Sequence, residues 1–113
     1  MTDLTLYHNG PSTCSQKVRL ILELKNLSYN SKEVNLLAGE QHAPEYVKLN
    51  PNHVVPTLVT KDAVLIESIL ILEYLDDAYP EIPARPSSPE AIHKVRLWMK
   101  QVDTFQQYTC LLY

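Results

Sequence analysis

Along the chain the hydrophobic positions change period several times, and each change marks an element. LTLY (residues 4–7) is a short β-prone apolar run that stops at Asn9-Gly10-Pro11, the pattern of a strand followed by a turn. From Cys14 onward apolar residues fall at 18, 21, 22 and 24, with Lys17, Arg19, Glu23 and Lys25 between them, which is helical spacing. LSYNSKEVNL (27–36) alternates loosely and predicts a second strand, whereas Gly39 to Leu49 is mostly polar and predicts a short helix or irregular stretch closed by Asn50-Pro51-Asn52. TLVT (57–60) and AVLIE (63–67) flank Lys61-Asp62 as an antiparallel hairpin would, although the turn lacks the glycine that a tight primed turn prefers. Ser68 then precedes ILILEYLDDAY, apolar nearly all round, as expected of a helix covered on more than one side.

The segment PEIPARPSSP (80–89) holds four prolines and two serines and reads as a linker. Beyond it, apolar residues at 92, 95, 99 and 102, with Trp98 and Phe105 beside them, predict a long amphipathic helix that cannot bury its face alone. The order is strand, helix, strand, helix, hairpin, helix, linker, helix. A βαβ unit followed by ββα predicts an α/β fold with a mixed four-stranded, thioredoxin-like sheet and helices on both faces. The expected division is a first domain over 1–80, a linker over 81–89, and the start of a second, all-helical domain over 90–113.

Composition narrows what such a fold serves. At 113 residues and 45% hydrophobic the chain supports one compact core but not two. The net charge of −3 comes with no cationic run, so no electrostatic footprint for nucleic acid or an anionic membrane is present. No stretch approaches the roughly 20 apolar residues of a membrane span, and MTDLTLYHNG lacks the regions of a signal peptide, so the expectation is a cytoplasmic protein. In a reducing compartment the two cysteines, Cys14 and Cys110, are expected to stay reduced. His8, His42, His53 and His93 show no metal-ligand spacing and are expected as surface imidazoles.

Three short segments carry candidate chemistry. In GPSTCSQKVR (10–19), Ser12, Thr13, Cys14 and Ser15 stand where a helix begins, and its first N–H groups concentrate partial positive charge there. That setting suits Ser12 as a helix cap with Cys14 as a small buried side chain. It equally suits a stabilised thiolate, either that of Cys14 or a ligand's held by a donor such as Ser12 or Thr13. In Val54-Val55-Pro56-Thr57 a proline sits directly before a strand; a cis Val55-Pro56 bond would turn the Val55 N–H and C=O outward to pair with an extended, peptide-like ligand. Glu67-Ser68 suits either a helix cap or the two ends of an amino-acid moiety, Glu67 taking its ammonium and Ser68 with the helix N-terminus its carboxylate.

Taken together, STCSQKVR at 12–19, NPNHVVPTL at 50–58 and ESILILEYLD at 67–76 resemble, in order and spacing, the N-terminal domain of cytosolic glutathione transferases. The resemblance covers about residues 4–80, and the helix from Pro89 looks like the start of that family's helical domain. It implies that Val55, ahead of a cis Pro56, binds the cysteinyl backbone of glutathione, that Glu67 and Ser68 hold its γ-glutamyl end, and that Gln41 and His53 reach its glycyl carboxylate. Many members have lysine directly before the Val-Pro pair, where this chain has Val54. The opening motif is closest to the S-S-C pattern of the zeta class, whose catalytic hydroxyl matches Ser12, while Cys14 matches the working cysteine of beta-class and reductive dehalogenase relatives. What the resemblance implies is an enzyme that activates the glutathione thiol for attack on an electrophilic small molecule, by conjugation, isomerisation or dehalogenation, and that is a homodimer when complete.

Two other readings stay open: a thiol transferase working through Cys14, and a glutathione-binding or interaction module without turnover. A thioredoxin or glutaredoxin is disfavoured, since its active pair would need C-x-x-C and Ser12 and Ser15 occupy the two corresponding positions. The expected electrophile site lies between the two domains. Finally, Cys110-Leu111-Leu112-Tyr113 is what one frame of a transposase sequencing adapter would encode, so these residues are expected to be foreign to the gene.

Overall fold

The computed structural model describes residues 3–110. In chain order it contains β1 (Thr5–His8), α1 (Thr13–Leu24), β2 (Asn30–Glu33), a 3-10 turn at Glu40–His42, α2 (Pro44–Val47), β3 (Thr57–Val59), β4 (Val64–Ile66), α3 (Ser68–Ala78) and α4 (Pro89–Cys110). The strands form one sheet in the order β2-β1-β3-β4, with β2 parallel to β1 and the other pairs antiparallel. This is the mixed thioredoxin-like sheet that the element order predicts.

Alternation along β1 sorts the two faces. Leu4 and Leu6 join Leu58 under Val18, Ile21 and Leu22 of α1 and Ile71 and Leu75 of α3, the main core. Tyr7 points the other way, into a smaller cluster with Val34, Tyr46 of α2 and Val55. The hairpin turn manages without glycine because the Thr60 hydroxyl accepts from the N–H groups of Asp62 (3.1 Å) and Ala63 (2.9 Å), supplying from a side chain what a tight backbone turn would supply itself.

Lys25, expected on the polar side of α1, is instead buried. Its ammonium donates to Asp76 Oδ1 (2.8 Å) and to the carbonyls of Tyr79 (2.9 Å) and Ile82 (2.7 Å). Asp76 also accepts from the Ala84 N–H at 2.7 Å and pairs with Arg85 at 3.1 Å. Burial pushes the Asp76 carboxyl upward, but the Lys25 and Ala84 hydrogen bonds and the charges of Lys25 and Arg85 outweigh it and hold the group below its usual 3.8. The proline-rich segment is therefore irregular, as expected, yet tied to α1 and α3 at several points. Pro89, counted with the linker in the sequence, is the first residue of α4, a position proline tolerates because its missing N–H would have no helical partner there.

With α4 the helical C-terminal region begins. Arg96 Nε binds Glu73 Oε1 of α3 at 2.7 Å. On α4, Trp98 remains 72%, Phe105 69% and Tyr108 75% exposed, so the amphipathic stripe is only partly covered. Where α1, α3 and α4 meet, Lys17, Ile69, Leu72, Val95, Trp98 and Met99 line a cavity of about 290 Å³. Among the described residues the Lys17 ammonium nitrogen, buried there, has no hydrogen-bond partner.

Candidate functional site

Strand pairing brings the three candidate segments to one edge of the sheet. Tyr7 lies opposite Thr57, Thr57 opposite Ile66, and His8 opposite Glu33. The C-terminal ends of β1, β2 and β4 and the N-terminal end of β3 therefore coincide. From that edge emerge the loop to Ser12, the Val55-Pro56 turn, Glu67-Ser68, and the segment leading to Gln41.

The loop 9–12 is held by groups other than its candidate nucleophiles. Arg19 donates to His8 Nδ1 (3.0 Å) and to the carbonyls of Asn9 (3.1 Å) and Gly10 (2.9 Å). A guanidinium only donates, so His8 Nδ1 is an acceptor and its proton sits on Nε2, which gives it to Ser31 Oγ of β2 at 2.6 Å. His8 is thus a buried connector rather than a surface imidazole, and burial followed by the Arg19 charge pulls its pKa below the usual 6.5. Ser15 is fully buried and its hydroxyl accepts from the Asn9 N–H at 3.2 Å. Nothing in the local sequence separated Ser15 from Ser12; the fold does.

Ser12 is the N-cap of α1, its Oγ accepting from the Ser15 N–H at 3.2 Å. In this role the hydroxyl uses a lone pair, and its own proton can still be donated outward. Cys14, in the first turn, is half-buried and carries no disulfide; its Sγ lies 3.6 Å from Gln106 Oε1 of α4. Cys14 therefore faces the helical region and is not the small buried core residue that a purely structural account would make it.

The Val55-Pro56 peptide is cis. Around it is a buried network that the sequence reading missed. The Tyr46 hydroxyl donates to Val54 O at 2.6 Å and lies 2.7 Å from Thr57 Oγ1, while Asn50 Nδ2 reaches the same two atoms at 3.1 and 3.0 Å. Because the Tyr46 proton goes to Val54 O, Thr57 donates to Tyr46 and accepts from Asn50. Burial is the main cause that raises the Tyr46 pKa above its usual 10.0. The signal available beforehand was only that Asn50 sits in an N-P-N turn. Among the described residues the Val55 N–H makes no hydrogen bond, although the residue is 8% exposed.

At the third segment the cap expected of Ser68 is not formed. Ser68 is the first helical residue of α3 and is buried; Glu67 occupies the cap position, with no side-chain hydrogen bond to the helix. Glu67 has φ 72° and ψ 109°, a left-handed backbone unusual for a residue with a Cβ and of a kind that clusters at ligand sites. Its carboxylate is exposed beside the edge.

Gln41 is buried in the 3-10 turn, and among the described residues its Oε1 has no partner. His53, at φ 57°, places Nδ1 2.8 Å from Nδ1 of His42. These two imidazoles, expected as separate surface groups, form a pair.

Among the described residues no helix is long and apolar enough to cross a membrane. Residues 11–78 match the family model described as "Glutathione S-transferase, N-terminal domain". A zeta-class glutathione S-transferase of Euphorbia esula is 47% identical over 91 residues, covering 80% of this chain and 39% of the relative. A probable maleylacetoacetate isomerase of Drosophila melanogaster is 40% identical, covering 79% and 39%. A solved glutathione transferase homologue from Sulfitobacter, with bound glutathione, superposes with a TM-score of 0.83 at 33% identity, covering 88% of this chain and 48% of that one. The chain thus spans less than half the length of these relatives.

Proposed function

This chain belongs to the glutathione S-transferase family, and from that premise we propose that its sheet edge binds glutathione and activates the thiol for attack on an electrophilic carbon. The tripeptide lies along the edge with its cysteinyl backbone paired to Val55 beside the cis Pro56. Glu67 takes the γ-glutamyl ammonium, and Ser68 with the N-terminus of α3 takes the γ-glutamyl carboxylate. Gln41 and His53 receive the glycyl carboxylate; the two ends of the Gln41 amide have nearly the same shape, so the buried position of its Oε1 can present N–H donors instead.

Ser12 donates its hydroxyl proton to the glutathione sulfur, and the N-terminus of α1 adds its partial positive charge, so the thiolate is favoured near neutral pH. The thiolate then forms a C–S bond to the electrophile. With an α,β-unsaturated acid, the substrate class suggested by the isomerase among the relatives, the displaced electron pair moves onto the conjugated carbonyl oxygen. Rotation about the new single bond and return of that pair expels the thiolate, so glutathione is regenerated and the double bond is isomerised. Cys14, whose Sγ lies 3.6 Å from Gln106 Oε1, serves as an accessory or redox residue.

The observation that carries this reading is the bonding of Ser12: its lone pair caps α1 while its proton remains to be given at the edge where Val55 and Glu67 emerge. In the same reading residues 1–80 are the glutathione domain, 81–89 the linker and 90–113 the beginning of the helical domain, and the complete protein is a cytoplasmic homodimer. The test is Ser12→Ala in the complete protein. Loss of one charge-assisted donor predicts a fall in turnover of about 100-fold, with thiol–disulfide exchange retained; undiminished turnover would refute the assignment.

A further inference from the structure

The His42–His53 pair has no place in the scheme above beyond the contact of His53 with the glycyl end, yet its geometry constrains what His53 can do. We propose that His42 is a positioning residue for glutathione recognition: it sets the tautomer and orientation of His53 so that His53 Nε2–H is presented to the glycyl carboxylate. This inference rests on the glutathione reading.

The argument follows from the two Nδ1 atoms, 2.8 Å apart. At that distance one nitrogen carries the proton and the other accepts it, because two lone pairs or two N–H groups would repel. If neutral His53 supplies the proton, its Nε2 is left as a lone pair, which repels a carboxylate. If His42 supplies it, the His53 proton resides on Nε2, a donor that a carboxylate accepts. Which ring nitrogen is protonated is set by the hydrogen bond made at the other, so the partner imidazole does the selecting. Glu40, beside the pair in sequence, does not compete, since its carboxylate accepts from the Asn35 N–H at 2.7 Å.

The backbone fixes where His53 stands. His53 stands at φ 57° and its N–H donates to Asn50 O at 3.1 Å, so its position is tied to the turn that also clamps Val54 and Thr57. The imidazole planes of the pair meet at 50° with centroids 5.1 Å apart, so the contact is edgewise through the nitrogens and not a stack. Gln41, next to His42, adds a buried amide with an unpartnered oxygen.

The experiment is isothermal titration of the complete protein, wild type, His42→Phe and His42→Asn, with glutathione and with its glycyl amide. Losing one hydrogen bond that orients a donor to a charged group predicts about tenfold weaker glutathione binding in His42→Phe. The glycyl amide should bind both proteins alike, and His42→Asn, which can still donate one hydrogen bond, should recover most of the loss. Equal weakening of both ligands, or no weakening of glutathione, would overturn the role of His42 and leave the glutathione reading intact. Absence of glutathione binding to the wild type at millimolar concentration would overturn that reading, and this inference with it.

Discussion

Tyr46 and Asn50 hold the Val55-Pro56 turn through the same two acceptors, and this sharing predicts a specific failure of additivity. Asn50→Ala removes three hydrogen bonds: to Val54 O at 3.1 Å, to Thr57 Oγ1 at 3.0 Å and from Asn52 N at 3.0 Å. At about 1 kcal/mol net for each, the loss is roughly 2–4 kcal/mol. Tyr46→Phe removes the two bonds of the hydroxyl, at 2.6 and 2.7 Å, for roughly 1–2 kcal/mol. In either single variant Val54 O and Thr57 Oγ1 each keep one partner. In the double variant both lose these partners, and the hydroxyl of Thr57, a fully buried residue, is left unpaired, which costs about 1–3 kcal/mol. The double variant should therefore lose at least about 1 kcal/mol more than the sum of the singles. Urea unfolding of the four proteins measures this directly, provided their m-values agree. A double variant that falls within about 0.5 kcal/mol of additivity would show that the turn is held by something other than this network.

Two further outcomes follow from buried charges. Since the folded-state pKa of Asp76 is below its usual 3.8, the carboxylate stabilises the fold fully above that value, and the contribution disappears as pH falls through the lowered folded value. Asp76→Asn should cost about 3–5 kcal/mol at neutral pH by stranding Lys25, and its stability should fall less steeply below pH 4 than that of the wild type; parallel acid profiles from urea unfolding would count against the Lys25–Asp76 account. Lys17→Met should raise stability by about 1–3 kcal/mol, because methionine fills similar volume without the unpartnered ammonium, and a lower urea midpoint would mean that the ammonium has a stabilising role.

What could be read in the sequence was local. The period of the apolar residues located β1, α1, the hairpin and α3, because each buries one face or one stripe against the same core. Ser12 as a helix cap was legible for the same reason: the requirement lies within four residues. The groups that were missed act over long separations. Lys25 and Asp76, or Arg19 and His8, declare themselves only when helices and strands are packed, since a lysine in a helical pattern looks solvated until a carboxylate and two carbonyls converge on it. The resemblance gives His53 a place at the glycyl end, but nothing in the sequence joins it to His42; a positive φ at His53 accompanies a ring pair that no periodicity relates.

In the proposed reading, cap and catalyst are compatible roles for Ser12 once donor and acceptor capacities are counted separately. A serine hydroxyl has one proton and two lone pairs, and capping α1 takes a single lone pair. Accepting the Ser15 N–H also polarises the O–H, since hydrogen bonds in a chain strengthen one another, so the cap improves the donor that a thiolate needs. Cys14, one residue into the first turn, differs in having its sulfur 3.6 Å from Gln106 Oε1 of α4. The cap fixes the direction of the remaining Ser12 lone pair and proton, Ser15 and Arg19 fix the loop that carries them, and the antiparallel pairing of β1 with β3 fixes that loop against Val55. Helix capping, loop bracing and strand register thus act on one hydroxyl, and this is how, in the proposed reading, so short a motif serves both fold and chemistry.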